Sequence, residues 1–317
     1  PSIKKRLMDL LKKYGMEQLN VASYGNRAYQ PGIPAITYIP ETEEVMEAFA
    51  NYAGEMARLG MKYHEIWNEP NTGFNSGNAS WAVYTELLKK CYEKIKAADP
   101  TSNVSAGSIV SIPDVPYNVL TEIFDAGGGD YMDSICIHPY IWDASPSQTN
   151  FHGKLEKLRK WLDDRGYPDI AVWVTEMGWG AGPAQAFTYE QQAAYLAQSY
   201  IIFKAVNPNG KFVWYDAVQD GMSETDREHN FGIITSWGAG EKALHPRKSY
   251  VALANMSDMM VGSEFVDYEN LENKGYSYHF KNRDGEDMYA VFSAEKSYSM
   301  GFKTDSESVK AIDLYGN

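Results

Sequence analysis

Residues 63–71 read Tyr63-His64-Glu65-Ile66-Trp67-Asn68-Glu69-Pro70-Asn71. A short run of strand character, Tyr63–Trp67, leads straight into a polar stretch closed by a proline. The same form recurs downstream. Ser134-Ile135-Cys136-Ile137 runs into His138-Pro139-Tyr140, and Ala171–Val174 runs into Thr175-Glu176-Met177-Gly178-Trp179. Strand runs this short, apolar and bounded by turn residues suit parallel strands covered by helices. Polar residues gathered at the C-terminal ends of successive strands are the mark of the active rim of a (β/α)₈ barrel. The competing architecture is an open doubly wound sheet, but no strand is followed by a G-x-G-x-x-G fingerprint. Gly127-Gly128-Gly129 precedes a strand instead of opening a helix, and reads as a flexible loop. The expected class is α/β, a (β/α)₈ TIM-type barrel.

Working outward, helical spacing of apolar residues predicts a helix from Ile3 to Tyr14, with Leu7, Leu10, Leu11 and Tyr14 on one side. Gln18–Tyr24 then reads as a strand. Thr42–Leu59 is a helix stopped at Gly60, and Ser80–Ala98 is another, closed by Asp99-Pro100. Strand near Val104–Ala106, helix near Tyr117–Asp125, helix Lys154–Asp164 and a helix from Thr188 to about Val206 continue the alternation. Thr188 and Gln191 are spaced as a capping box. A strand at Phe212–Tyr215 and a helix at about Pro246–Met260 close the series, giving six strand–helix units. After Ser263 short strands follow without helices: Phe265–Tyr268, Tyr276–Lys281, Asp287–Ser293, Tyr298–Phe302 and Val309–Leu314. Asn282-Arg283-Asp284-Gly285 sits between two of them as a hairpin turn, too poor in ligands for a calcium loop. The expected division is a barrel domain over 1–262 and a small β domain over 263–317.

Composition narrows the function. The 317 residues are 44% hydrophobic and 22% charged, with 29 Lys+Arg against 42 Asp+Glu and a formal charge of -13. Such a chain repels phosphate backbones and anionic lipid, so neither nucleic acid nor a membrane is an expected partner. No window approaches 18 uninterrupted apolar residues. The 8 Trp, 23 Tyr and 12 Phe are unusual, and such rings can stack on sugars as well as fill a core. Cys91 falls on the helix face of Val83, Leu87 and Ile95, and Cys136 lies inside a strand, so both read as buried, reduced thiols. They do not settle the compartment. The sequons at Asn78, Asn103 and Asn255 read as chance matches.

Two carboxylates carry the chemistry. Glu69 and Glu176 each stand just past a strand, three strand–helix units apart, so both can face the same barrel mouth. Glycosidic cleavage needs such a pair, one carboxyl to protonate the leaving oxygen and one to attack the sugar or activate water. Their aromatic and apolar neighbours suit groups whose protonation is tuned by the surroundings. Other chemistries fit worse. There is no H-x-x-x-H pair or Cys/His cluster for a metal, and His64-Glu65 reads as a polar step into a strand. Neither a G-x-S-x-G elbow nor a Walker loop occurs. No cofactor is expected, since two carboxylates can do this work unaided.

In order, Trp67-Asn68-Glu69-Pro70-Asn71, His138-Pro139-Tyr140 and Thr175-Glu176 resemble the retaining glycoside hydrolases of clan A. Tyr24-Gly25-Asn26 and Asn230-Phe231-Gly232 add a likeness to members of families 39 and 5. The resemblance runs from about residue 17 to the end. It implies Glu69 as general acid/base and Glu176 as nucleophile, with Asn68 on the sugar 2-hydroxyl. It sets His138 and Tyr140 at the sixth strand end, with the phenol or the imidazole near the nucleophile, and makes Trp214 a stacking platform. Tyr24 and Asn26 would border the negative subsites, Trp179 and Trp142 would line the cleft, and Trp67 would be core. For a retaining pair the two carboxyl groups should stand roughly 5–5.5 Å apart, against roughly 6.5–9.5 Å for an inverting one. The implied partner is an oligosaccharide or polysaccharide, and the implied setting is secreted or extracytoplasmic.

Two alternatives keep the cleft and change its use: a non-catalytic carbohydrate-binding protein, and a transglycosidase. The resemblance also numbers the six strands as the third to the eighth of the clan. Two further units would need roughly 60 residues, and upstream of Gln18 there is room only for the helix that begins at Ile3. The expectation is therefore that another segment or chain supplies the first two strands, with the arginine that clan A enzymes usually carry on the second. The chain alone would be a weak catalyst, prone to association.

Overall fold

The computed structural model describes residues 3–112, 118–271, 275–293, 297, 299, 301 and 307–317. The chain folds as two units, one comprising Pro1–Pro139 and Arg159–Thr175, the other Tyr140–Leu158 and Glu176–Asn317.

The first unit is built on five parallel strands: β1 (Leu19–Ala22), β2 (Tyr63–Ile66), β3 (Asn103–Val110), β4 (Ser134–His138) and β5 (Ala171–Val174). They lie in the order β1-β2-β3-β4-β5, with Leu19 opposite Tyr63, Tyr63 opposite Asn103 and Ser134 opposite Ala171. A doubly wound sheet reverses its order at a switch point; this one advances by one strand each time, as a barrel does. All five residues of β4 are buried, as expected of a strand covered on both faces. Helix α1 (Ile3–Lys13) precedes β1, helices α2 (Glu43–Arg58), α3 (Trp81–Ala98) and α4 (Asn118–Asp125) fill the connections, and α5 (Phe151–Asp164) ends in this unit. α2 begins with Glu43 and Glu44, which suit the positive end of the helix dipole. It buries Met46, Phe49, Ala50, Ala53, Met56 and Ala57, the spacing of one helix face. Ser80 caps α3 by accepting from the Val83 N–H at 3.3 Å. That helix buries Leu87, Cys91 and Ile95 completely, and both Cys91 and Cys136 are free, buried thiols.

Two expectations for this unit change. α1 forms, but Leu7, Leu10 and Tyr14 are exposed rather than inward. The run Gly127-Gly128-Gly129 is no flexible loop. Gly127 takes φ 80° and residues 128–131 form a 3₁₀ turn. A Cβ on Gly128 would lie 2.7 Å from Ile123, and one on Gly129 2.5 Å from the Tyr167 ring. Close packing calls for Gly128 and Gly129, and the left-handed backbone for Gly127.

In the second unit, α6 (Tyr189–Val206) starts with the expected capping box between Thr188 and Gln191, and α7 (Lys248–Met260) follows. Ser249 donates to Gln192 at 2.8 Å, and both are buried. Strands β6 (Glu264–Asn270), β7 (Gly275–Lys281) and β8 (Asp287–Ser293) form an antiparallel sheet in that order, around the buried Tyr278 and Phe280. The hairpin turn stands as expected, with Asn282 Oδ1 accepting from the Asp284 and Glu286 N–H groups and Gly285 at φ 83°.

Phe212–Tyr215 is not a strand. Phe212 makes an isolated bridge and the Tyr215 N–H bonds to the Met177 carbonyl, and contacts this scattered make no ladder. Val309–Leu314 is not one either. Asp313 Oδ1 takes the Tyr315 and Asn317 N–H groups, so a local turn wins over extension. Tyr298–Phe302 and Tyr117 lie largely or wholly outside the described residues.

Candidate functional site

The first unit carries one constellation. Past the end of β2 the chain turns sharply, with Trp67 at φ 70° and Glu69 at φ 45°, a region that residues other than glycine seldom occupy. The turn is held from several sides. Trp67, fully buried, donates its indole N–H to the Phe74 carbonyl at 2.8 Å. The Glu69 carbonyl accepts from the Thr72 amide and hydroxyl. Asn71 exchanges two hydrogen bonds with Val110 of β3. Tyr84 of α3, buried, donates to the Ile66 carbonyl at 2.9 Å. Strained backbone fixed this firmly sets the direction of one side chain, that of Glu69.

That side chain meets His138, the last residue of β4. Imidazole Nδ1 lies 2.9 Å from Glu69 Oε1. His138 is 1% exposed and the Glu69 side chain 14%. On its other side, Nε2 lies 3.1 Å from Thr175 Oγ1 and 3.4 Å from Glu65 Oε1. His138 is thus fastened by side chains and is no plain core histidine. Glu65 corrects the reading of His64-Glu65 as a polar step into a strand. It is buried to 1% and takes hydrogen bonds from Ser108 and Thr175, while His64 is buried on the neighbouring position with Nε2 at the Met61 carbonyl. Burial draws His64 below the usual imidazole range. Tyr24 packs edge-on to Trp67 and stacks on Phe74 at 5.6 Å. Asn68 is half-buried, and Asn26 is exposed and spends its side chain on the Ala28 N–H of its own turn.

The second unit carries another. Tyr140 donates its hydroxyl to Glu176 Oε2 at 2.9 Å. The Tyr140 ring stacks on Trp142 at 4.9 Å with 7° between planes, and stands edge-on to Tyr215 and Phe231. Arg227 lies over the Trp142 ring at 4.1 Å, a cation–π contact. Trp214 is half-buried and stacks on Trp179 at 5.9 Å. Its indole Nε1 is buried and finds no hydrogen-bond acceptor among the described residues. Trp179 departs from its expected place lining a cleft. It is 1% exposed, with its N–H on the Ala144 carbonyl, so it supports Trp214 from below. Asn230 is buried and braces its loop by donating to the Ser223 and Asp226 carbonyls.

Sequence reading missed Glu65, Ser108 and Thr175 in the first unit and Asp216 in the second. Burial first, then the charge of Asp220, pushes the Asp216 carboxyl up to about 7, and its Oδ1 is buried with no hydrogen-bond partner among the described residues. The available signal for Glu65 was a charged residue in the middle of a strand whose neighbours are all buried. Asp216 left no such trace.

No family model matches the chain, and no curated protein does. Solved structures do. A family 39 glycoside hydrolase from the gut symbiont Bacteroides cellulosilyticus WH2 is similar at 28% identity and a TM-score of 0.78 over 93% of this chain. The chain is family-39-like. The clan A resemblance drawn from its motifs stands with it. The family-39-like chain spans 61% of the length of that structure. It is also similar to a monomeric beta-xylosidase from Caulobacter crescentus CB15, at 16% identity and a TM-score of 0.60 over 87% of this chain and 60% of that one. A glucosidase from Croceicoccus marinus is similar at 14% identity and a TM-score of 0.62, with 87% and 60% covered. These last two speak for the fold, the (β/α)₈ type expected from the strand order.

Proposed function

We propose that the chain is a retaining O-glycoside hydrolase that cleaves a β-linked glycoside or polysaccharide by double displacement. Glu176 attacks the anomeric carbon while Glu69 gives a proton to the departing oxygen; Glu69 then takes a proton from water as the glycosyl-enzyme is hydrolysed. The observation that carries the reading is that each strand-end glutamate has a partner suited to its role. A phenol donates to Glu176 at 2.9 Å, which favours its ionised form. An imidazole meets Glu69 at 2.9 Å, a group able to take or supply a proton. Asn68 then serves the sugar 2-hydroxyl, and Trp214, with its N–H unspent, is the stacking platform. Tyr24 and Asn26 border the negative subsites. A polymeric substrate suits a secreted or extracytoplasmic chain.

The test is a screen of aryl glycosides and polysaccharides, followed by proton NMR of the first-formed product. Retained anomeric configuration is the expected outcome, and inversion overturns the double displacement. Transfer to an added sugar acceptor in preference to water marks a transglycosidase. Calorimetric sugar binding without any turnover marks a binding protein.

A further inference from the structure

Beneath Glu69 lies a charged group that double displacement does not use. Glu65 is the third residue of β2 and is 1% exposed. A carboxylate only accepts, and the groups aimed at its Oε1 are donors: the Ser108 hydroxyl, and the Thr175 hydroxyl at 3.2 Å. Ser108 reaches it because β3 is irregular between Ala106 and Ile109, where Gly107 and Ser108 take φ 103° and 46°. Bulges of this kind re-aim a side chain.

Thr175 has one hydroxyl proton. Once it is given to Glu65, the Thr175 oxygen is left to accept, and the group facing it at 3.1 Å is His138 Nε2. Nε2 is then the protonated ring nitrogen. A neutral imidazole protonated there has a bare lone pair on Nδ1, and that lone pair meets Glu69 Oε1 at 2.9 Å. Two bare acceptors repel at that distance, so the contact needs a proton, which the Glu69 carboxyl supplies.

We infer that Glu65 is a positioning residue for the proton transfer: through Thr175 it fixes the tautomer of His138, and His138 keeps on Glu69 the proton destined for the leaving oxygen. In that step the proton passes from Glu69 to the oxygen, the bond from that oxygen to the anomeric carbon breaks, and Glu176 forms its bond to the same carbon. Water later returns a proton to Glu69. This catalytic consequence rests on the glycosidase reading; the tautomer does not. The other titratable groups facing the pair within this unit stay neutral. Burial and the Glu65 charge push the Cys136 thiol of β4 far up. Burial does the same to the Tyr84 phenol of α3. His64 occupies the opposite face of β2 and is bound to the Met61 carbonyl.

The experiment has two arms on the whole chain. Nitrogen-15 NMR of the histidine rings, with His138 assigned through H138Q, should show a proton on Nε2 and none on Nδ1 near neutral pH. T175V should lose that preference and T175S restore it. In the kinetic arm, E65Q should move the alkaline limb of kcat/KM toward lower pH by about one unit, because the negative charge that favours the shared proton is gone. It should lower kcat about tenfold on glycosides with alkyl or sugar leaving groups, and leave dinitrophenyl glycosides nearly unchanged, since these need no protonation. A proton on Nδ1 in the native chain overturns the inference, as does a folded E65Q whose limb stays in place and whose losses are equal on both substrates. If no glycoside is turned over, the glycosidase reading fails, and the NMR arm still decides the relay.

Discussion

Glu69 and Glu176 both follow a parallel strand, yet their surroundings are opposite in kind. Glu69 is served by polar side chains in series, His138 and Thr175, each with a proton to place, and Glu65, which accepts. Glu176 accepts from the Tyr140 hydroxyl, and that phenol is locked by rings, with Trp142 stacked on it and Tyr215 and Phe231 at its edges. A group that must gain and lose a proton each turn needs neighbours that can rearrange hydrogens. A group that must stay ionised and attack needs a fixed donor and a rigid wall. That contrast is the one the proposed division of labour calls for, with Glu69 as acid/base and Glu176 as nucleophile.

The largest effect should separate the two glutamates. E176A should lose turnover on every substrate, on the order of 10⁴-fold or more. E69A should lose about 10²–10⁴-fold on poor leaving groups and little on activated ones. Azide should restore the rate of E69A with retained configuration and give an inverted glycosyl azide with E176A. The reverse pattern exchanges the roles. A smaller effect probes the rigid wall. Y140F removes one hydrogen bond to a charged group, about 1.5–3 kcal/mol, and should lower kcat roughly 10–100-fold with KM little changed. An equal loss in W142A would show that the stacked ring, and not the hydroxyl alone, orients the phenol; a rise in KM instead would assign Trp142 to the substrate.

The smallest effect is on stability. Asp216 is held up to about 7 from an ordinary 3.8 by burial and by Asp220. The native state therefore binds the extra proton between those values, and the stability of the chain falls as pH rises through them. D216N should melt roughly 2–4 °C higher than the native chain at pH 8 and no higher near pH 3.5. Equal gains at both pH values would mean that packing, not charge, is responsible.

How far this was legible in the sequence depended on the range of the interaction. Local rules held: the Thr188–Gln191 box and the Asn282–Gly285 turn rest on residues within four of each other. The strand-end positions of Glu69, His138 and Glu176 followed from short apolar runs, which parallel strands require. What failed was decided at longer range. Phe212–Tyr215 has strand composition but makes only an isolated bridge at Phe212 and a bond from Tyr215 to the Met177 carbonyl among the described residues. Gly129 looked loose because Tyr167, which crowds it, is far along the chain. Glu65 looked like an edge residue because its donors, Ser108 and Thr175, come from two other segments.

Gly178 follows Glu176 by two residues, and a Cβ there would stand 1.9 Å from the Tyr215 carbonyl oxygen. The Tyr215 amide also donates to Met177 at 3.0 Å. The segment bearing Glu176 and the one bearing Trp214 therefore touch main chain to main chain. For anyone redesigning this protein, the spacing between the Glu176 carboxylate and the Trp214 indole is a fixed dimension, set by peptide geometry and not by residue size. New specificity has to be sought in loops elsewhere, such as the turn around Asn26, where side chains are exposed and replaceable.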